Sequence, residues 1–222
     1  MKKTIVIPAY NEEEGITEVI QRCKKVCKPG DEVIVVDDGS KDRTAQVAKK
    51  LHGVKVISYK KNKGKAGALK TGFRAAKNDI IVTIDADCTY PPERIPDLVK
   101  ELDNADLVIG TRFRRDWPSD MPWHRVMANK VGALVTSVIL GRKVTDVTTG
   151  LRAFRKKLIN GIKIKAKGLD FEAEFTAKAI TKGYRYKEVR IKAEEREGAS
   201  TLHFFKDMWR FFKAVLRGKF ID

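Results

Sequence analysis

Ile80-Ile81-Val82-Thr83-Ile84 runs without a break into Asp85-Ala86-Asp87, and this junction decides the fold. Five β-branched residues in a row suit a strand buried on both faces, where no polar alternation is needed. Two acids one residue apart project to the same side of an extended chain, so one site can collect both carboxylates. In an open α/β sheet, ligands gather beyond the carboxyl ends of the strands. An apolar strand that stops on paired acids fits that arrangement.

The same alternation extends outward from this point. Ile5-Val6-Ile7, Val33-Ile34-Val35-Val36 and Val54 to Ser58 read as strands. Between them, Glu12 to Cys27, Ser40 to Leu51 and Ala66 to Ala76 read as amphipathic helices. Strand and helix in turn imply right-handed βαβ units and a mostly parallel central sheet flanked by helices. Beyond Pro91-Pro92 the pattern predicts a helix to Leu102 and a strand at Leu107-Val108-Ile109. A helix from His124 to Leu140, a turn and strand over Asp146 to Phe154, and a helix from Asp170 to Lys182 follow. Tyr186 to Ile191 closes the strands, and Leu202 to Leu216 is helical. The expected organisation is one α/β domain over residues 1–200, with 201–222 as an amphipathic C-terminal helix.

The polar groups just after each strand carry the chemistry. They are Pro8-Ala9-Tyr10-Asn11-Glu12, Asp37-Asp38-Gly39-Ser40, Asn62-Lys63-Gly64-Lys65 and Asp85-Ala86-Asp87. Read singly, Asp87 is a solvated turn aspartate and Ser40 the N-cap of its helix. Read together, the set is a pocket for a metal, hydroxyl groups and phosphates. A divalent cation takes oxygen ligands, and Mg²⁺ in particular uses one or two carboxylates plus substrate phosphates. Asp37 and Asp38 have the chemistry to accept hydrogen bonds from a nucleoside, as an acid does with ribose in dinucleotide sites. No G-x-G-x-x-G follows the first strand and no P-loop signature occurs, which removes the dehydrogenase and P-loop readings.

Composition narrows the partners. Lys+Arg number 46 against 29 Asp+Glu, a net charge of +17 over 222 residues. Such an excess favours anionic partners, whether nucleic acid, phosphorylated substrates or an acidic membrane surface. No helix-turn-helix, zinc finger or aromatic RNP strand supports a basic nucleic-acid-binding protein, which stays a remote alternative. Val131 to Leu140 is the longest apolar stretch and is too short to span a bilayer. With no signal peptide behind Met1-Lys2-Lys3, a cytoplasmic location is expected. Cys23, Cys27 and Cys88 do not complete a tetrahedral metal set and read as small buried residues. Gln occurs only at Gln21 and Gln46 while Lys and Glu abound, a bias reported for proteins of hyperthermophiles.

Taken in order, these strand exits resemble family-2 glycosyltransferases with the GT-A (nucleotide-diphospho-sugar transferase) fold. The likeness continues through Ile109-Gly110-Thr111-Arg112 and Asp146-Val147-Thr148-Thr149-Gly150-Leu151-Arg152-Ala153-Phe154, and ends at Arg196-Glu197-Gly198-Ala199-Ser200-Thr201-Leu202. It is nearest to the polyprenyl-phosphate sugar transferases, the dolichol-phosphate mannose synthases among them. The resemblance implies that Pro8, Tyr10, Glu12, Asp37, Asp38 and Lys65 serve the nucleotide. It implies that Asp85 and Asp87 hold the donor diphosphate through Mg²⁺ or Mn²⁺. Arg112 and Arg125 match positions that meet phosphate, a task suited to a planar, permanently charged fork; a structural ion pair for Arg112 and an exposed helix charge for Arg125 are the alternatives. Asn129, Arg196 and Ser200 complete the acceptor-phosphate candidates. The chain departs from its relatives at Thr89, where Gln or Ser is usual, at Asn129, where a relative has Ser, and at Thr201, where Lys usually follows the Ser. Many relatives also continue into transmembrane helices.

The activity so implied is metal-dependent, inverting transfer of a hexose from GDP-mannose or a UDP-hexose to a polyprenyl (dolichyl) phosphate. The alternative is a soluble glycan or metabolite acceptor. A hydroxyl acceptor needs a general base, for which Asp146 is the candidate. A phosphate acceptor, with its second pKa of about 6, is already ionised. In the terminal helix, Leu202, Phe205, Trp209, Phe212 and Leu216 form one stripe, with Lys206, Arg210, Lys213 and Arg217 on the other side. Such a face suits a membrane interface with anionic headgroups, hence a peripheral position on the cytoplasmic membrane face; packing on the core is the other reading.

Overall fold

The computed structural model describes residues 1–113, 123–194 and 204–221, without the side chains of 123–125 and 204–208. β1 (Lys3–Ala9), β2 (Glu32–Asp37), β3 (Lys55–Ser58) and β4 (Ile80–Thr83) pair in parallel, with β1 central between β2 and β4. β5 (Leu107–Thr111), β6 (Arg152–Arg155) and β7 (Tyr186–Arg190) extend the sheet to seven strands in the order β3-β2-β1-β4-β6-β5-β7. β6 runs antiparallel to both β4 and β5, while β5 and β7 are parallel.

Helices cover both faces. α1 (Ile16–Lys25), α2 (Thr44–Lys49) and α4 (Ile95–Glu101) lie on one side, packed on Ile5, Ile7, Val33, Val35 and Val82. α3 (Lys65–Ala75), α5 (Trp123–Leu140), α6 (Lys157–Gly161), α7 (Phe171–Thr181) and α8 (Phe204–Phe220) lie on the other, against Val6, Ile34, Ile81 and Phe154. Alternate residues of one strand thus enter two cores, which is why the strands show no polar alternation. A 3₁₀ turn at Pro92–Arg94 leads into α4.

The expected helices and strands are present, with shorter bounds for α1 and α2. The helix expected from Ser40 starts only at Thr44, because Ser40 Oγ is taken by the Asn11 N–H at 3.0 Å and does not cap it. α7 is not amphipathic in its burial: Phe171 to Ala179 is buried throughout, charged residues included. Glu174 accepts the N–H groups of Lys165 and Ala166 at 2.8 Å each, and Lys178 Nζ donates to the Lys163 carbonyl at 2.7 Å. These bonds offset the desolvation of charge in the core.

α8 packs on α7 and α5. Ala214 and Val215 are buried, while Trp209 is 58% exposed and Phe220 72%. Arg217 does not join the outer basic face expected of it; it turns inward to Asp170 at 2.7 Å and Glu174 at 3.3 Å. The helix therefore has one face in the core and another in solvent. None of the described helices is long and apolar enough to cross a membrane. Cys23 and Cys88 are buried and Cys27 half-buried, and none of the three forms a disulfide among the described residues.

Candidate active site

The strand exits meet along one edge of the sheet, in three sectors. The first lies after β1 and β2, whose register sets Ala9 beside Asp37. Asn11 takes a left-handed conformation (φ 54°), which asparagine tolerates better than most residues. The loop it forms is fastened to the first residue of α2, with the Glu12 N–H donating to Thr44 Oγ1 at 2.9 Å. Asp37 accepts from the Ser40 N–H at 3.2 Å, and Asp38 from the Lys63 N–H at 2.8 Å. Burial pushes the Asp38 carboxyl above the usual aspartate range. Tyr10 is exposed beside Pro8 and Ala9, which are buried. The arrangement offers a shallow wall with two fixed carboxylates and a tyrosine ring.

The central sector follows β4. Thr83 Oγ1 donates to the Gly150 carbonyl at 2.8 Å, tying the acidic segment to the loop before β6. The Asp85 carboxylate lies directly on Gly150: a Cβ there would stand 2.5 Å from both of its oxygens. Only glycine permits that approach. Lys65, the first residue of α3, bridges Asp85 Oδ1 at 2.7 Å and Glu172 Oε1 at 2.8 Å. Burial works against the Lys65 ammonium, but the two carboxylates outweigh it and raise its pKa above the lysine range.

Asp87 is only 5% exposed, so the solvated-turn alternative for it does not hold. Its Oδ1 accepts the Thr89 N–H at 3.2 Å. The chain then turns sharply at Cys88, another left-handed residue (φ 60°). Gly15, just before α1, is pressed against this turn, its absent Cβ 2.7 Å from the Ala86 carbonyl oxygen. Glycine at positions 15 and 150 thus lets backbone from two directions close around the acidic segment.

The third sector follows β5. Arg112 donates to Asp146 through Nε at 2.7 Å and Nη2 at 3.0 Å, and through Nη2 to Thr148 Oγ1 at 2.9 Å. Asp146 is fully buried and the Arg112 side chain 9% exposed. Burial disfavours the Arg112 charge, but the Asp146 carboxylate outweighs it and holds the guanidinium protonated. Asn129 on α5 donates to Thr148 Oγ1 at 2.9 Å, and its Oδ1 is buried without a partner among the described residues. Tyr90 joins this sector to the central one: Arg112 lies over its ring at 5.4 Å, and burial pushes the phenol up to about 12.

The fold therefore brings together Pro8, Tyr10, Glu12, Asp37, Asp38, Lys65, Asp85, Asp87, Arg112, Asn129 and Asp146 at one sheet edge. The Arg125 side chain and the residues Arg196 and Ser200 lie outside the described residues. Three participants escaped the sequence reading: Glu172, Tyr90 and Thr148. Glu172 sits in the first turn of α7, where an acid is ordinary, and only the sheet topology carries it to Lys65.

The oxygen donors fit a cation shared with a substrate better than a resident one. Asp85 and Asp87 supply two carboxylates, and no group of three His, Cys, Asp or Glu among the described residues could hold an ion. Two carboxylates completed by phosphate oxygens is a common Mg²⁺ arrangement.

A mixed sheet in this strand order, with an acidic corner at its carboxyl edge, defines a GT-A glycosyltransferase fold. The pattern of Glycosyl transferase family 2 matches residues 4–162, and the chain belongs to that family. It is 31% identical to the dolichol-phosphate mannosyltransferase of Pyrococcus furiosus, over 96% of this chain and 64% of that protein. It is 32% identical to the polyprenol monophosphomannose synthase of Mycolicibacterium smegmatis, over 87% of this chain and 77% of that one. The chain thus spans less than two thirds of the Pyrococcus protein. Glucosyl-3-phosphoglycerate synthase from Mycobacterium tuberculosis, solved with Mn²⁺, uridine diphosphate and phosphoglyceric acid, superposes with a TM-score of 0.82. That similarity covers 100% of this chain and 79% of that one at 22% identity, and is one of fold.

Proposed function

We propose that this protein transfers a hexose from a nucleoside diphosphate sugar to a polyprenyl phosphate, with inversion at the anomeric carbon. One observation carries the reading: the acidic corner of Asp85 and Asp87 adjoins an arginine held in a fixed fork by Asp146. Donor diphosphate and acceptor phosphate both find charge partners within one edge of the sheet. The names of the curated relatives support a lipid-phosphate acceptor.

In this reading Asp37, Asp38 and Tyr10 hold the nucleoside. Asp85 and Asp87 would hold Mg²⁺ or Mn²⁺, which when bound offsets charge developing on the leaving diphosphate. Arg112 meets the acceptor phosphate. Its Nε and Nη2 are committed to Asp146 and Thr148, which leaves Nη1 as the group to meet an anion. An ionised phosphate oxygen attacks the anomeric carbon, the bond to the diphosphate oxygen breaks, and nucleoside diphosphate departs. With that acceptor no protein base is required, and catalysis rests on positioning and fixed charge. Asp146, buried and paired, serves this scheme as the orienting partner of Arg112 and not as a base. The exposed apolar and basic groups of α8 suit a peripheral position at an anionic membrane surface.

The test is incubation of the purified chain with labelled GDP-mannose or UDP-glucose, Mn²⁺ and a polyprenyl phosphate in detergent. Label extracted into organic solvent, and lost with excess EDTA, is the expected result. Label confined to the aqueous phase as a new glycoside would replace the lipid acceptor with a soluble one. No transfer from any nucleotide sugar would end the proposal.

A further inference from the structure

Residues 146–150 join the two charged sectors of the site. Asp146 and Thr148 hold the Arg112 fork, while Gly150 lies against the Asp85 carboxylate and its carbonyl accepts from Thr83 Oγ1. This segment is neither helix nor strand, and β6 begins only at Arg152. Its backbone oxygens therefore need partners other than a ladder.

Arg152 supplies them from beneath. Its Nε donates to the Thr149 carbonyl at 2.8 Å, its Nη2 to the Val147 carbonyl at 3.2 Å, and its Nη1 to Thr176 Oγ1 on α7 at 2.7 Å. The segment thus alternates: residues 146, 148 and 150 serve the site, and the carbonyls of 147 and 149 serve Arg152. Thr176 stands one turn after Glu172 on α7, and Glu172 holds Lys65 at 2.8 Å. One guanidinium ties the segment to the helix that supports the acidic corner.

Fixing a loop does not by itself call for a buried charge. Arg152 is 1% exposed, and all three of these acceptors are neutral. Burial pulls its pKa below the arginine range, and the Glu172 carboxylate only partly offsets this. An apolar residue would cost less to bury. It could not meet three acceptors in fixed directions, which a planar fork of donors does.

We infer that Arg152 is a positioning residue that sets the 146–150 segment and so keeps the Asp85 corner and the Arg112 fork in one register. It acts through Thr148 on one side and Gly150 on the other. The inference rests on the donor and acceptor roles proposed above and adds the part that holds the two at a fixed separation.

Binding to the full chain, read without turnover, tests this. Mn²⁺ affinity is measured with saturating GDP or UDP by the resonance of the free ion, and farnesyl phosphate affinity by calorimetry below its micelle concentration. In Arg152→Lys one flexible ammonium replaces the fork, and both affinities should fall about 10-fold. Nucleotide affinity without metal, which belongs to the Asp37 and Asp38 sector, should not move. A residue that only stabilised the core would lower the melting temperature and leave all three affinities at the parental values. In a Thr148→Val background the effect of Arg152→Lys on farnesyl phosphate should vanish while its effect on Mn²⁺ persists. Thr176→Val keeps the guanidinium and removes one partner; it should weaken both ligands about threefold, the worth of one hydrogen bond.

Parental affinities in a folded Arg152→Lys, or in Thr176→Val where that variant does not fold, overturn the inference. So does a farnesyl phosphate effect undiminished by Thr148→Val, or a parent protein that binds neither ligand. Transfer to polyprenyl phosphate is assayed separately. Transfer with parental constants in Arg152→Lys leaves the proposed function standing and removes the positioning role; paired loss of affinity without transfer in the parent does the reverse.

Discussion

Lys65 Nζ stands between two carboxylates, 2.7 Å from Asp85 Oδ1 and 2.8 Å from Glu172 Oε1. Glu172 thereby shares the ammonium that would otherwise rest wholly on Asp85. In Glu172→Gln the lysine leans onto Asp85 and competes with any cation there. Loss of an outer partner of a metal ligand typically weakens metal binding 10–100-fold. The concentration of Mn²⁺ needed for half-maximal transfer should therefore rise about 10-fold or more. An unchanged Mn²⁺ titration would separate Glu172 from the acidic corner.

Asp87→Asn keeps the shape of the side chain and its acceptor for the Thr89 N–H. It removes a charge that the proposed chemistry needs at the diphosphate. Transfer should fall at least about 100-fold, the scale seen when one stabiliser of developing charge is deleted. Nucleotide-free melting should change little. Near-full activity in a folded Asp87→Asn protein would end the role given to this carboxylate.

Much of the geometry of this candidate site is legible in the sequence, and the reason is local. A strand exit is a short sequence feature, so Asp37-Asp38 and Asp85-Ala86-Asp87 announce themselves beside their apolar runs. Glu172 and Tyr90 lie in segments whose own sequence looks like an ordinary helix start and an ordinary turn, and tertiary contact alone gives them a role. The burial of α7 was hidden for a related reason. Glu172, Glu174 and Lys178 suggest a solvated face, yet each is satisfied by a partner distant in sequence or by loop backbone. The inward turn of Arg217 was equally hidden, since periodicity alone assigns it to the basic side of α8.

Asp146→Asn separates the two acceptor chemistries. Loss of a general base should cost about 10²–10⁴-fold in rate and flatten the acidic limb of the pH profile. Loss of an orienting partner should mainly raise the KM for the acceptor, because the amide still meets one arm of the Arg112 fork. The second outcome is expected, with kcat and its pH profile nearly unchanged. Asp146→Ala is a harsher change: it strands a largely buried guanidinium and should cost about 3–5 kcal/mol of stability.

A pH dependence follows from the contact of α1 with the turn before α4. Arg22 donates to Glu93 through Nε at 2.9 Å and Nη2 at 2.7 Å, and this pairing holds the Glu93 carboxyl below its usual range. A folded-state pKa below the unfolded one stabilises the fold above about pH 4.3, and the gain is lost as pH falls through the folded value. Glu93 is half exposed, so the effect should stay below about 1 kcal/mol. The melting temperature of the parent protein should exceed that of Glu93→Gln by a constant margin from pH 7 to about 5. That margin should close in more acidic buffer. A margin that persists after Glu93 has been protonated would mean the difference is one of packing.

The two faces of α8 call for two different changes. Gly218 is buried against α7, and a Cβ there would come 2.4 Å from Ala177 Cβ and 3.2 Å from the Glu174 carbonyl oxygen. Gly218→Val must push the helices apart and should cost about 1–3 kcal/mol, as overpacking generally does. On the outer face, Trp209 stacks on Phe212 with ring centroids 5.8 Å apart, and Lys213 Nζ lies 5.0 Å from the Trp209 ring. Trp209→Ala with Lys213→Glu removes an aromatic group and reverses a charge without touching the contact with α7. Flotation with vesicles rich in anionic lipid should fall about 10-fold or more for the double variant, since each cation near such a surface contributes about 1 kcal/mol and the reversal counts twice. Its melting temperature should stay close to that of the parent. If flotation is equal for the two proteins, α8 is a core helix whose outer residues have no part in the membrane.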